Sequence, residues 1–160
     1  MINLIMLELP HAAVGATIAV LIPNPLLAVP LAFASHFVMD LFPHWNPHIG
    51  REIRRYGHIA PSTTLLLVFD SSLSLYLGFA LAFRVLPHIT ESFNILACSF
   101  AAVLPDVIEI PLILFHRKWV WLRRFSKWES SHQSRLPAPT GIFTQLFILF
   151  ACTLLILTHI

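Results

Sequence analysis

Residues 12–41 read AAVGATIAVLIPNPLLAVPLAFASHFVMDL, two apolar runs held apart by Pro23-Asn24-Pro25. Proline lacks a backbone N–H and disfavours helix in the residue before it, so this triplet is a strong helix stop. The pattern predicts helices over about 12–22 and 26–41. At about 1.5 Å per residue, neither crosses a hydrocarbon core of about 30 Å. They are read as a helical hairpin turning at Asn24, with a single kinked span from Ala12 to Leu41 as the alternative. Three longer apolar runs follow, at 62–83, 92–115 and 141–159. These approach or exceed the roughly 20 residues that a crossing needs. The expected fold is all-α: one integral membrane helical bundle over 1–160, of about five helices, the first two forming a short hairpin.

Composition supports this reading. Of 160 residues, 57% are apolar and 11% are Asp, Glu, Lys or Arg, and the mean hydropathy is +0.77. A soluble domain is about a quarter charged, and one this small cannot hide so much apolar surface from water. A soluble enzyme, a disordered chain and a disulfide-rich secreted module are all poor fits. Cys98 and Cys152 lie in apolar runs without metal-site spacing and read as core thiols. The stretch before Pro10 carries Glu8 and no Lys or Arg, unlike a signal peptide.

The net charge is only +2, but its distribution orients the chain. Arg51, Arg54 and Arg55 lie between the second and third runs. Arg117, Lys118, Arg123, Arg124, Lys127 and Arg135 lie between the fourth and fifth, and only Arg84 falls in the remaining long-run loop. The positive-inside rule places both cationic loops in the cytoplasm; the expected setting is a prokaryotic cytoplasmic (inner) membrane. Within 117–136, Trp121, Phe125 and Trp128 recur at helical spacing among cations. This suits an amphipathic interfacial segment against membrane lipids, with Arg117, Lys118, Arg123 and Arg124 near anionic headgroups; an ordinary aromatic belt is the alternative. No base-reading motif accompanies these cations, so no nucleic-acid partner is expected.

Ionisable residues inside apolar helices are costly and mark candidate sites. His36 and Asp40 are four apart and share a helix face. Asp106 and Glu109, three apart, share another. The charge-derived topology brings these four residues to within roughly 10–15 Å of the cytoplasmic surface. His11 joins them if the hairpin reading holds. Carboxylates gathered at low dielectric repel unless a cation or protons neutralise them. Two imidazoles with several carboxylates suit a divalent metal: zinc first, with manganese or iron as alternatives. The non-metal alternatives are an intrahelical His36–Asp40 hydrogen bond and a protonated or helix-bridging Asp106–Glu109 pair.

Glu109 is the candidate general base. Asp70, beside Ser71, Ser72 and Ser74, is a second candidate catalytic carboxylate, with an interhelical hydrogen bond as its structural alternative. His44 and His48, in a proline-rich turn, read as interfacial rather than ligating. His132 is a minor candidate for reaching the site. His58, His88 and His159 read as bystanders, and Gln145 as a packing hydrogen bond.

Pro10-His11-Ala12-Ala13-Val14-Gly15, Ser35-His36-Phe37-Val38-Met39-Asp40 and Leu104-Pro105-Asp106, together with the overall length, resemble the YdjM-like predicted inner-membrane metal-dependent hydrolases. That family is related in type to all-helical zinc-dependent phospholipases. The resemblance implies that His11 is the early histidine, His36 and Asp40 the His-x-x-x-Asp face, and Asp106 the acid of the Pro-Asp element. It implies a metal held by His11, His36, Asp40 and Asp106. The expected function is hydrolysis of a phosphoester lipid or other amphiphile near the cytoplasmic leaflet. A metal- or proton-binding transport subunit and a non-catalytic membrane scaffold are the alternatives.

Overall fold

The computed structural model describes residues 7–114 and 119–160, with the side chains of 113 and 114 excepted. Among the described residues the chain is all-helical, with seven helices: α1 (Glu8–Leu21), α2 (Pro25–Leu41), α3 (Ile49–Tyr56), α4 (Pro61–Arg84), α5 (Ile89–Leu114), α6 (Val120–His132) and α7 (Ala138–Leu157). The five apolar runs correspond to α1, α2, α4, α5 and α7. The two further helices, α3 and α6, occupy the cationic loops. Both are too polar to register as apolar runs, although the aromatic spacing of 117–136 pointed to the second.

Three helices, α4, α5 and α7, are long and apolar enough to cross a membrane. Large apolar side chains stand outward along them, among them Leu65, Phe69, Tyr76, Phe83, Phe143 and Phe147. So much exposed apolar surface is foreign to a monomer in water and is consistent with membrane integration.

Helix α1 is too short to cross and sits at the centre, packed by α2, α4, α5 and α7. Its buried residues are mostly small: Ala12, Ala13, Gly15, Ala16, Thr17 and Ala19. A Cβ on Gly15 would overlap the Cys98 carbonyl oxygen, so the glycine lets α5 approach backbone to backbone. Asn94 of α5 then caps the end of α1, its amide donating to the Ala19 and Ile22 carbonyls at 3.1 and 3.0 Å. The start of α1 is held by Asp70 of α4, which accepts from the Glu8 and Leu9 amides at 2.5 and 3.4 Å.

The α1–α2 connection is a tight reversal, with Asn24 Oδ1 accepting from the Leu26 amide at 3.0 Å. The beginning of α1 thereby meets the end of α2, which makes the pair a hairpin and not one kinked span. Beyond α2, residues 42–48 pair with the segment after α6. His44 N donates to Ser134 O, Leu136 N to His44 O, and Ser134 N to Asp40 O. That pairing lays α6 across the ends of α2 and α5. Cys98 and Cys152 are both buried free thiols.

Candidate metal centre

The site grows out of the α1–α2 hairpin. His11 and His36 are fully buried, and their rings stack at a centroid separation of 4.2 Å. His36 Nδ1 lies 2.8 Å from the Ala102 carbonyl of α5. A carbonyl can only accept, so Nδ1 carries the proton and Nε2 is directed at the centre of the cluster. Pro105 lies three residues beyond Ala102. Inside α5 it removes the N–H that would serve the Ala101 carbonyl and crowds the preceding turn.

Three elements place carboxylate oxygens around Nε2 of His36. Glu129 Oε1 of α6 lies at 3.0 Å, Asp40 Oδ2 of α2 at 3.7 Å and Asp106 Oδ1 of α5 at 3.9 Å. Asp40 Oδ1 is 3.8 Å from His11 Nε2 of α1. Two triads, His11–His36–Asp106 and His36–Asp40–Glu129, each offer ligand atoms within 4.8 Å of one another. All of these side chains are buried, and both nitrogens of His11, both oxygens of Asp106 and Asp40 Oδ1 have no hydrogen-bond partner. Leaving so many buried polar atoms unpaired costs on the order of 1–3 kcal/mol for each. Such a donor set can hold a metal ion.

Glu109 is also buried; Ser126 Oγ donates to its Oε2 at 3.0 Å, while Oε1 has no partner. Asp70 lies apart from the two triads, its oxygens taken by the start of α1. Gln145 makes a packing hydrogen bond, donating to the Trp45 carbonyl at 2.7 Å.

One of the histidine expectations needs revision. His44 is not an interfacial side chain: it is fully buried, its Nδ1–H donates to the Phe42 carbonyl at 2.7 Å, and Nε2 has no partner. Burial pushes this imidazole below its usual pKa, against the Phe42 hydrogen bond and with the help of the Arg135 charge. His132 is exposed and bonds back to the Trp128 carbonyl at 2.8 Å. It nevertheless lines a small cavity, of about 120 Å³, that reaches Asp40 and Glu129 between α2 and α6.

Glu129 is the member that sequence reasoning missed. Glu129 falls in line with Leu122 and Ser126, at helical spacing on the buried face of α6. That periodicity was available, but the flanking cations drew attention to the opposite face. Arg123, Arg124 and Lys127 are exposed on α6, whereas Arg117 and Lys118 lie outside the described residues.

Comparison of the chain with family models, curated proteins and solved structures finds no match.

Proposed function

We propose that the chain is a membrane-embedded, metal-dependent hydrolase whose metal is held by His11, His36, Asp40 and Asp106, joined by Glu129. The carrying observation is the convergence of buried ligand atoms from α1, α2, α5 and α6 in two triads that share His36, with those of His11 and Asp106 and one oxygen of Asp40 left without a hydrogen-bond partner. Zinc fits the donor set. Ligands about 2.0–2.1 Å from a tetrahedral ion lie roughly 3.3 Å apart; four of the donor separations fall between 3.0 and 3.9 Å, and within each triad all are under 4.8 Å.

A divalent cation here supplies Lewis acidity and makes water a nucleophile at neutral pH. The chain's own groups do the rest. Ala102 fixes the His36 tautomer, so that Nε2 offers its lone pair. Glu109, one turn beyond Asp106 and tethered by Ser126, presents its free oxygen as the base that accepts a proton from the attacking water. The exposed cations of α6 lie on the element that delivers Glu129 and favour an anionic head group. By the positive-inside rule this end of the bundle faces the cytoplasm.

Metal analysis by mass spectrometry tests the reading, on wild type and on the His36→Ala, Asp40→Ala double variant in detergent. The expected result is near-stoichiometric zinc, manganese or iron in the wild type, lost from a variant that stays folded. Wild-type protein that holds no metal after incubation with divalent ions would sink it.

A further inference from the structure

Helices α1, α4 and α5 do not close on one another along their full length. Between them lies an apolar groove of about 420 Å³. Small residues leave the space: Ala12 on α1, Ser74 and Gly78 on α4, and Ser99 on α5 all line it. A Cβ on Gly78 would meet Ser99 Cβ at 3.6 Å and Leu96 Cδ2 at 3.9 Å, ordinary contact. Any longer side chain there must extend into the groove.

The groove is long and thin. Its lining on α5 runs from Leu96 to Ile110, about 21 Å of helix. A volume of about 420 Å³ spread over that length is far less than a partner helix about 10 Å across would need, and suits an extended hydrocarbon chain. Leu75, Phe79 and Phe100 line it and are more than half exposed, at 62%, 52% and 55%. The groove therefore opens on the apolar outer face of the two long helices.

Its other end carries a carboxylate. Glu8 lines the groove with its Oε2 buried and without a partner, and the lining residues Ala12 and Val107 are the chain neighbours of His11 and Asp106. The apolar groove thus adjoins the polar cluster. Exposed Arg123, Arg124 and Lys127 stand outside the groove, on the helix that supplies Glu129, and favour an anionic head group at this end of the bundle.

We propose that this groove is the chain-binding subsite for a bilayer lipid. One alkyl chain enters sideways between α4 and α5, and the anionic head group reaches the His11–His36–Asp106 cluster past Glu8. The inference rests on the hydrolase reading and names its substrate class, an amphiphile taken directly from the leaflet. Hydrocarbon fills the groove better than water does, because an apolar cavity offers water no hydrogen-bond partners.

The test uses the full chain in phosphatidylethanolamine–phosphatidylglycerol vesicles containing phosphatidylglycerol with a diazirine midway along one acyl chain. After irradiation, labelled peptides are mapped by mass spectrometry. Label should concentrate on the groove segments of α4 and α5 over Phe143, Phe147 and Phe150, which are equally exposed on α7. Gly78→Phe should reduce groove labelling to the α7 level with metal content unchanged, and Gly78→Ala should leave it intact. Leu96→Trp provides the same block if Gly78→Phe fails to fold. Equal labelling of α7 and the groove, or labelling that survives both blocking variants, would overturn the proposal. The His36→Ala, Asp40→Ala variant should lose metal and keep the label, so failure of the metal reading appears in the metal analysis alone.

Discussion

His11 and His36 stack with their rings inclined by only 22°, although 25 positions separate them and each lies in a helix too short to cross a bilayer. Their contact exists because α1 and α2 reverse at Asn24 and because both helices lie against the same stretch of α5. It makes the imidazole pair depend on the hairpin and on how closely α5 approaches.

That approach is set by Gly15, whose missing Cβ leaves room for the Cys98 carbonyl. Backbone cannot yield as a flexible side chain can, so Gly15→Ala should destabilise the fold by about 1–3 kcal/mol. Thermal unfolding in detergent reads the loss. A Tm equal to wild type would mean that the helices are farther apart than described.

Pro105 costs α5 a hydrogen bond yet lies beside the carbonyl that orients His36. Pro105→Ala removes the helix-breaking residue and lets the turn close. We expect metal affinity to fall about 10–100-fold, as for loss of an orienting partner, without loss of helicity. Competition titration against a chelator measures it, and unchanged affinity would remove Pro105 from the site's construction.

Asp70 has two possible duties that two substitutions separate. As a cap for α1, it should tolerate Asn, whose carbonyl oxygen still accepts, and lose about 1 kcal/mol on replacement by Ala. Metal content should be unchanged in both. Hydrolysis lost in a stable Asp70→Asn protein would instead make the carboxylate catalytic.

The lowered pKa of His44 couples folding to pH. The unfolded imidazole titrates near pH 6.5, while the buried one resists its proton. Stability is therefore full above about 6.5 and falls as the pH drops below it toward the lower folded value. Compared with His44→Gln, which has no such group, the wild type should lose more Tm between about pH 7.5 and 5.5. Parallel Tm curves for the two proteins would contradict the burial of a neutral imidazole.

The groove and the cluster differ in how far a linear reading reaches them. His36 and Asp40 announce themselves, because two ionisable groups one turn apart in an apolar helix have few inexpensive alternatives. Asp106 and Glu109 do so for the same reason. Glu129 does not: its helix is rich in charge, and one more acid there looks solvated until the buried face of α6 is known. His44 misleads in the opposite sense, since a proline-rich turn ordinarily lies at the surface, and here it is buried beneath the segment that follows α6.

By itself, the sequence determined the all-helical class, the three long apolar helices, the stop at Pro23-Asn24-Pro25 and the helix faces bearing His36, Asp40, Asp106 and Glu109. Each of these follows from hydrophobicity, proline chemistry or the 3.6-residue period, which act within a single segment. Only the tertiary structure decided that α1 is enclosed rather than spanning, that Glu129 joins the cluster, that His44 is buried, and that Asp70 caps a helix. It alone decided that a groove remains between α1, α4 and α5. Those outcomes depend on where small residues let backbones approach and where polar atoms find partners, and both conditions are met between segments distant in the chain.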